Sequence, residues 1–284
     1  MTATLTAAID RADLLSLVAR LSLLLAVLNT NEDRPLFVLA VVACAVAFPS
    51  PRIHLSPWLW LGLGLVIGVR QLWAWEGVDN HVIVTTYWLF ALGLSLLAPD
   101  PLAALRTNGR VLIGLVFAFA VFWKLFSPSF VDGRFFRYTL LLDDRFSWLA
   151  TGVGGMPEAA YDANYGRVQS LRAAEAGGAV TLVETGRIRT LAAVMTGWGL
   201  AVEALVAASM LAPLPGRWRW LRHAGVLAFC LTTYLVVPIG GFGCLLAVLG
   251  LALAGDDVLP RRTYVLLFAT LVLYTPLWRV LFGP

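Results

Sequence analysis

Long apolar stretches recur along the whole chain, and they constrain its fold more than any other feature. A helix that crosses a membrane needs about 20 predominantly apolar residues, and fewer where neighbouring helices bury its ends. Hydrophobic residues make up 60% of the 284 residues and charged residues only 13%. A soluble domain usually carries about 25% charged residues. The sequence therefore predicts an all-α integral membrane protein.

The spacing of the apolar stretches predicts a polytopic bundle of about nine transmembrane helices. The second and eighth stretches are short, so the count depends most on them. Residues 1–284 are expected to form a single transmembrane domain, in which residues 127–189 form a long loop between helices five and six. The predicted helices cover residues 13–28, 35–48, 57–73, 81–97, 111–126, 190–212, 220–237, 240–255 and 263–282.

The charged residues between the stretches predict an orientation, because Lys and Arg collect in short cytoplasmic loops. With a cytoplasmic N-terminus, alternation places Arg52 and Arg110 on the cytoplasmic side and Asp79 on the outer side. Tryptophans favour the two interfaces, and we expect Trp60 at the inner and Trp73 at the outer one. The predicted location is a plasma (inner) membrane of bacterial type, with the C-terminus and residues 127–189 extracytoplasmic.

Composition also limits the partners and the metal chemistry. The arginines are scattered rather than clustered in one basic stripe, so we predict no nucleic-acid partner. Cys44, Cys230 and Cys244 lie inside apolar runs without a CxxC spacing, which indicates buried free thiols and no metal site. Membrane lipid is the expected surrounding. Residues 127–189 are the predicted surface for a protein partner, since a loop of this length is usually structured or functional.

Lys124 is the only lysine in a chain where arginine supplies every other permanent positive charge. It lies at the outer end of the predicted helix 111–126. A buried lysine can lose its proton and act as a base, which an arginine cannot do. The alternative is a lysine that extends from a helix end to the membrane interface, and position alone favours this alternative.

Two further ionisable residues lie in or beside apolar runs. His81 opens the fourth predicted helix at the outer face, and its side of the helix continues through Thr85 and Trp88. There it either transfers protons near neutral pH or lies at the interface with satisfied hydrogen bonds. Glu203 lies deep in the sixth apolar run, where an ionised carboxylate is costly. We expect it to be neutral, to pair with an arginine such as Arg20, or to face a polar cavity.

The predicted topology brings Lys124 and His81 to the same outer face. Because the fourth helix starts there and the fifth ends there, we expect both side chains to line one cavity that opens to residues 127–189. The chain shows no nucleotide-binding glycine motif, metal-ligand cluster or hydrolase elbow. Proton transfer is therefore the chemistry that Lys124 and His81 would support, and the non-catalytic alternatives for both residues stay open at this point.

Residues 123–133 read W-K-L-F-S-P-S-F-V-D-G, and this segment resembles the horizontally transferred transmembrane domain family. The vitamin K-dependent gamma-glutamyl carboxylase belongs to that family. Its members have a Lys-Leu pair at the outer end of a helix, followed by a polar link, an aromatic residue and a glycine. The preceding helix begins with an Asn-His pair, and Asn80 with His81 stands at the corresponding place.

The resemblance implies a quinol-linked enzyme. Lys124 would take a proton from a reduced naphthoquinone, which would then react with oxygen, and His81 with Asn80 would stabilise the developing oxyanion. On this reading Lys124 and His81 are catalytic, while Asn80, Trp123 and Trp88 contact the quinone, and no metal takes part.

The sequence also departs from the carboxylase. A functional histidine in a later helix has no counterpart in residues 229–234, and we expect no counterpart of the large lumenal domain that engages protein substrates. Carboxylation of protein glutamates is therefore not expected. A second resemblance, to the lipase maturation factor family, rests on the Lys-Leu pair and residues 138–146. It implies a non-enzymatic membrane chaperone or an accessory subunit of a larger membrane complex.

Overall fold

The computed structural model describes residue 9 and residues 13–173, 179–234, 236–237 and 240–282. All regular secondary structure in these residues is helical, which confirms the predicted all-α class. Single helical turns connect several of the longer helices. The longer helices are α1 (Leu14–Leu28), α2 (Arg34–Ala47), α3 (Pro57–Trp73), α4 (Asn80–Leu96), α5 (Pro101–Leu125), α6 (Arg134–Leu142), α7 (Glu158–Ala173), α8 (Gly186–Leu211), α9 (Trp220–Tyr234), α10 (Gly240–Ala254) and α11 (Val258–Phe282).

Side-chain caps fix where the two long helices α5 and α8 begin. The Asp100 carboxylate accepts a hydrogen bond from the Ala103 amide at 3.0 Å, and Pro101 follows with a backbone angle suited to a first helical turn. Helix α5 therefore starts well before the predicted position 111. The Thr185 hydroxyl caps α8 in the same way, accepting from the Ile188 amide at 3.2 Å.

Helix α10 forms the centre of the bundle. All of its residues from 243 to 254 are buried, and it packs against α1, α4, α5, α9 and α11. A helix that is apolar on every side is typical of such a central position. The main hydrophobic core surrounds it and includes the fully buried rings of Trp88, Phe117 and Tyr264.

Residues 127–189, predicted as one long loop, contain a folded helical layer. Helix α6 packs against the first half of α8 and against α7. A second hydrophobic cluster holds this layer together around Leu140, Tyr161 and Ile188. The sequence also predicts a helix over residues 169–176 that Gly177 and Gly178 end. This helix starts earlier, at the beginning of α7, and the two glycines lie outside the described residues.

Among the described helices, only α5 and α8 are long and apolar enough to cross a membrane by length and composition. The predicted count of about nine such spans is therefore not met. Helices α1, α2, α4 and α10 are apolar but only 14 to 17 residues long. Caps and turns divide the apolar sequence into pieces shorter than its composition suggests.

The packing of α10 against α11 predicts a sharp response to a small substitution at Gly250. A Cβ atom there would overlap the Tyr264 ring, whereas a Cβ at Gly62 meets no atom within 4 Å. We expect Gly250→Ala to lower the free energy of unfolding by about 1–3 kcal/mol, the usual cost of overpacking. Gly62→Ala should leave it unchanged or raise it by about 0.5–1 kcal/mol, because alanine favours helix. Thermal unfolding of both variants in detergent measures this, and equal midpoints would contradict the packing.

Candidate functional site

An ion pair inside the bundle joins Lys124 to Glu203. Lys124 lies in the last turn of α5, and Glu203 lies in the second half of α8. The Lys124 Nζ atom donates a hydrogen bond to Glu203 Oε1. The Glu203 side chain is only 8% exposed and that of Lys124 27%. Lys124 is therefore held against α8 rather than extended into solvent.

The partner of Glu203 is Lys124 and not Arg20, the residue that the sequence suggested. The Arg20 Nε atom donates to the Phe48 carbonyl at 3.1 Å, and its guanidinium lies 5.6 Å from the centre of the Phe48 ring. Lys124 and Glu203 are 79 positions apart along the chain. A pairing over this separation leaves no local pattern in the sequence.

Two buried oxygens near the pair have no hydrogen-bond partner among the described residues. They are Glu203 Oε2 and the Tyr234 hydroxyl oxygen. An unsatisfied buried polar atom costs about 1–3 kcal/mol, so such atoms in a native fold call for an explanation such as a water, an ion or a chemical role. The other side of the site is closed by Phe130, whose ring centre lies 5.1 Å from Lys124 Nζ.

The pair can hold its proton in two ways. With the proton on Lys124, two charges face each other in an apolar surrounding, and their attraction must offset the loss of hydration. With the proton on Glu203, both groups are neutral and the amine is free to accept another proton. The arrangement is therefore a buried acid–base pair that connects the two long apolar helices.

His81 lines a different space, a cavity of 660 Å³ at the start of α4. Its Nδ1 atom lies 3.8 Å from Asp79 Oδ2. The Asn29 amide donates to the Thr85 hydroxyl at 2.7 Å, which donates to the His81 carbonyl at 2.9 Å. Asn29 Oδ1 is buried without a partner among the described residues. This short chain of hydrogen bonds fixes the first turn of α4 against the end of α1.

Gly241 at the start of α10 keeps the His81 cavity open. A Cβ atom at this position would lie 2.8 Å from His81 Nε2 and would also overlap Asn29 Oδ1. Any other residue would therefore displace the imidazole or the amide. The close approach explains why the chain has a glycine here.

Lys124 and His81 lie at the same end of the bundle but in separate surroundings. Helices α4 and α5 pack together and are joined by a short turn, so His81 and Lys124 both lie far from that turn. Among the described residues that line the His81 cavity, Lys124 is not included. The His81 cavity is therefore not shared with Lys124. The catalytic roles of the two residues stay predictions.

The residues predicted to contact a quinone do not gather at one place. Asn80 is exposed at the first position of α4. Trp123 is 69% exposed and stands edge-on to Phe122, with ring centres 5.8 Å apart. Trp88 is fully buried, and its indole donates to the Ser22 hydroxyl at 2.9 Å. Trp88 is thus part of the main core, and a quinone contact by these three residues stays a prediction.

The other two histidines are held by hydrogen bonds. His54 is fully buried, and its two ring nitrogens lie 3.0 Å from the Ala47 carbonyl and from the Ser16 hydroxyl. His223 Nδ1 lies 3.1 Å from the Tyr264 hydroxyl. Both imidazoles therefore connect neighbouring helices.

The cysteines are free thiols, as predicted. Cys230 and Cys244 are buried, and Cys44 is half-buried. In the described parts of the chain, no three His, Cys, Asp or Glu side chains are grouped so that they could hold a metal ion.

Comparison with protein-family models, with curated proteins and with solved structures finds no match for this chain. The two family resemblances therefore rest on the sequence patterns alone, the first around residues 80–81 and 123–133 and the second on the Lys-Leu pair and residues 138–146.

The burial of the Lys124–Glu203 pair predicts a large effect when one partner is removed. Glu203→Leu leaves an unpaired ammonium in an apolar site, and we expect it to lower the free energy of unfolding by about 3–5 kcal/mol. The double variant Lys124→Met/Glu203→Leu should recover most of this loss, because no charge stays buried. Chemical unfolding in detergent measures both.

The matched control is the exposed ion pair of Asp33 with Arg70, whose Oδ2 and Nε atoms are 2.6 Å apart. Asp33→Asn keeps the cap of α2, since asparagine caps helices equally well. It should cost no more than about 1 kcal/mol. If Glu203→Leu has an effect as small as this control, the pair does not stabilise the fold.

Proposed function

We propose that this protein is an integral membrane protein. The two long apolar helices α5 and α8 support this proposal. So do the large apolar side chains that cover outward faces, such as Val38 and Val42 on α2 and Leu72 on α3, because water-soluble monomers rarely expose extended apolar surfaces. The finer proposal of about nine spans, with a cytoplasmic N-terminus and an outer C-terminus, requires the shorter helices to cross a locally thinned bilayer.

We further propose that the Lys124–Glu203 pair is the acid–base centre of an enzyme that acts on a lipid-soluble quinol. One observation carries this proposal: the single lysine of the chain is bound to a buried glutamate whose second oxygen has no partner among the described residues. A lysine that served only as a positive charge could be replaced by arginine, which the chain uses everywhere else. The resemblance of residues 123–133 to the carboxylase-like family supports the same assignment.

The proton transfer follows from the two states of the pair. When its own proton lies on Glu203, the Lys124 amine is neutral and accepts a proton from a hydroxyl of a reduced naphthoquinone. Glu203 keeps its own proton and accepts a hydrogen bond from the new ammonium, whose charge is balanced by the quinolate that the transfer leaves. An apolar surrounding strengthens each of these interactions, and a membrane gives a lipid-soluble quinol direct access. In the family-based reading, His81 and Asn80 at the same end stabilise the oxyanion that forms.

Replacing Lys124 by arginine separates a base from a fixed charge. Lys124→Arg keeps a positive charge beside Glu203, but a guanidinium does not lose its proton. We expect oxygen uptake driven by a reduced naphthoquinone to fall by about 10²–10⁴-fold, the usual contribution of a general base. The assay uses purified protein in phospholipid vesicles. Arg134→Lys is the control and should leave the rate unchanged, because Arg134 forms an exposed pair with Asp132 at 2.6 Å and lines neither the His81 cavity nor the Lys124 site.

A Lys124→Arg variant with the full rate would contradict the proposed base. If Lys124→Arg is inactive because it does not fold, the double variant Lys124→Met/Glu203→Leu tests the base instead, since it removes the base without leaving a buried charge. That variant should be folded and inactive.

A second candidate function is a non-enzymatic chaperone or an accessory subunit of a larger membrane complex. The observation that favours it is the folded layer of residues 127–189, which has its own hydrophobic cluster. Glu184 ties this layer together, accepting hydrogen bonds from Arg137 at 2.6 and 2.9 Å, with Arg189 at 3.4 Å. In this reading the layer is a docking surface, and the Lys124–Glu203 pair only holds α5 against α8.

Native purification followed by mass spectrometry distinguishes the two candidates. The enzyme should retain a naphthoquinone and lose it in the Lys124→Met/Glu203→Leu variant. An accessory subunit should carry a protein partner in fixed ratio and no quinone, and its assembly should survive Lys124→Arg. A wild-type preparation with a stoichiometric protein partner and no bound quinone would overturn the enzyme proposal.

A further inference from the structure

A second cavity, separate from that of His81, lies between α6 and the adjoining parts of α8 and α9. Its volume is 950 Å³, at the upper end of the range of about 300–1,000 Å³ that is typical of small-molecule sites. Neither Lys124 nor His81 lines it. The walls are mainly aromatic and aliphatic, and include Phe136, Leu142, Leu191, Met195, Trp198 and Val236.

Two of the polar groups in these walls form hydrogen bonds within the protein. The Trp198 indole donates to the Thr232 hydroxyl at 3.0 Å, and that hydroxyl donates to the Ala228 carbonyl at 2.7 Å. The rings of Phe135 and Phe136 stand edge-on with centres 5.2 Å apart, which fixes the opposite wall. The interior therefore offers an apolar ligand contact area and few hydrogen bonds.

One end of the cavity is charged, because Asp143, Asp144 and Arg145 line it. Burial opposes the ionisation of Asp143, but hydrogen bonds from Arg145 at 2.6 and 2.9 Å outweigh burial and lower the pKa of that carboxyl. Asp143 and Arg145 thus neutralise each other. Asp144 has no cationic partner among the described residues, and its closest polar contact is the Tyr161 hydroxyl at 3.5 Å. This end consequently carries a net negative charge.

We propose that this cavity binds the hydrocarbon tail of a membrane lipid whose headgroup carries an amine, with the amine beside Asp144. An apolar interior that ends in one unpaired carboxylate is complementary to an amphiphile with a cationic group next to its tail. An anionic headgroup would face a like charge at the same place. The proposal rests on the membrane placement proposed above but not on the acid–base chemistry of Lys124.

Two glycines of α8 give a matched pair of variants. Gly199 lines the cavity, whereas Gly197 is exposed and does not line it. An added Cβ meets no atom within 4 Å at either position. Gly199→Leu therefore fills part of the cavity, and Gly197→Leu makes the same chemical change outside it. Both replacements favour helix, so both proteins should fold.

The experiment is photo-crosslinking of the purified full chain in vesicles of equal parts phosphatidylethanolamine and phosphatidylglycerol. The photoactivatable group is placed in the tail of one lipid at a time, and mass spectrometry maps the crosslinks. We expect several-fold more crosslinks to α6 and the first half of α8 from the phosphatidylethanolamine probe than from the phosphatidylglycerol probe. Gly199→Leu should reduce them several-fold and Gly197→Leu should not. Asp144→Asn, an exposed substitution, should remove the difference between the two lipids.

Three results would overturn the proposal: no excess of crosslinks in the cavity over the exposed face of α2, equal crosslinking by both lipids in the wild-type protein, or equal effects of the two leucine variants. The comparison of the two lipids in the wild-type protein decides the question even if Gly199→Leu does not fold. Failure of the membrane placement has a different signature, because crosslinks would then be lacking on every helix.

Discussion

The fold depends on one positive and one negative side chain that pair between the two long apolar helices. An unpaired ammonium or carboxylate at this depth would be costly, and each group compensates the other. Their hydrogen bond fixes the relative position of α5 and α8. Phe117 lies two turns before Lys124 on the same side of α5, and its ring centre is 4.7 Å from that of Phe229 and 6.3 Å from that of Phe242. The ion pair aligns α5 with α8, and the contacts of Phe117 extend this alignment to α9 and α10.

The folded layer of residues 127–189 completes this end of the bundle. Its first turn places Phe130 over the Lys124 ammonium, and the rings of Phe135 and Phe136 pack on Phe130 with centres 5.5 Å away. The same two rings line the apolar cavity beside α8. One aromatic cluster therefore separates the Lys124–Glu203 pair from the cavity: Phe135 and Phe136 line the cavity, and Phe130 contacts the lysine.

Sequence patterns predict the features of the structure that depend on residues close together in the chain. Helix α3 has the predicted bounds, 57–73, and Lys124 and Glu203 were recognised as exceptional because each is charged within an apolar run. The pairing itself was missed, since only the packing of α5 on α8 brings the two together. Trp60 was expected at an interface, but it is fully buried and its indole donates to the His54 carbonyl at 2.8 Å. Tryptophan suits both environments, because it needs only an apolar contact and one acceptor.

Buried polar atoms in an apolar bundle usually find partners within the protein, because an unsatisfied one is costly. The atoms without partners among the described residues are therefore informative. Glu203 Oε2, the Tyr234 hydroxyl and Asn29 Oδ1 all belong to the end of the bundle where α1, α5 and α9 finish. At the opposite end, Arg222 donates to the Ser209 carbonyl at 2.9 Å. The three oxygens around Lys124 and His81 are therefore available to accept hydrogen bonds from a ligand that binds at that end.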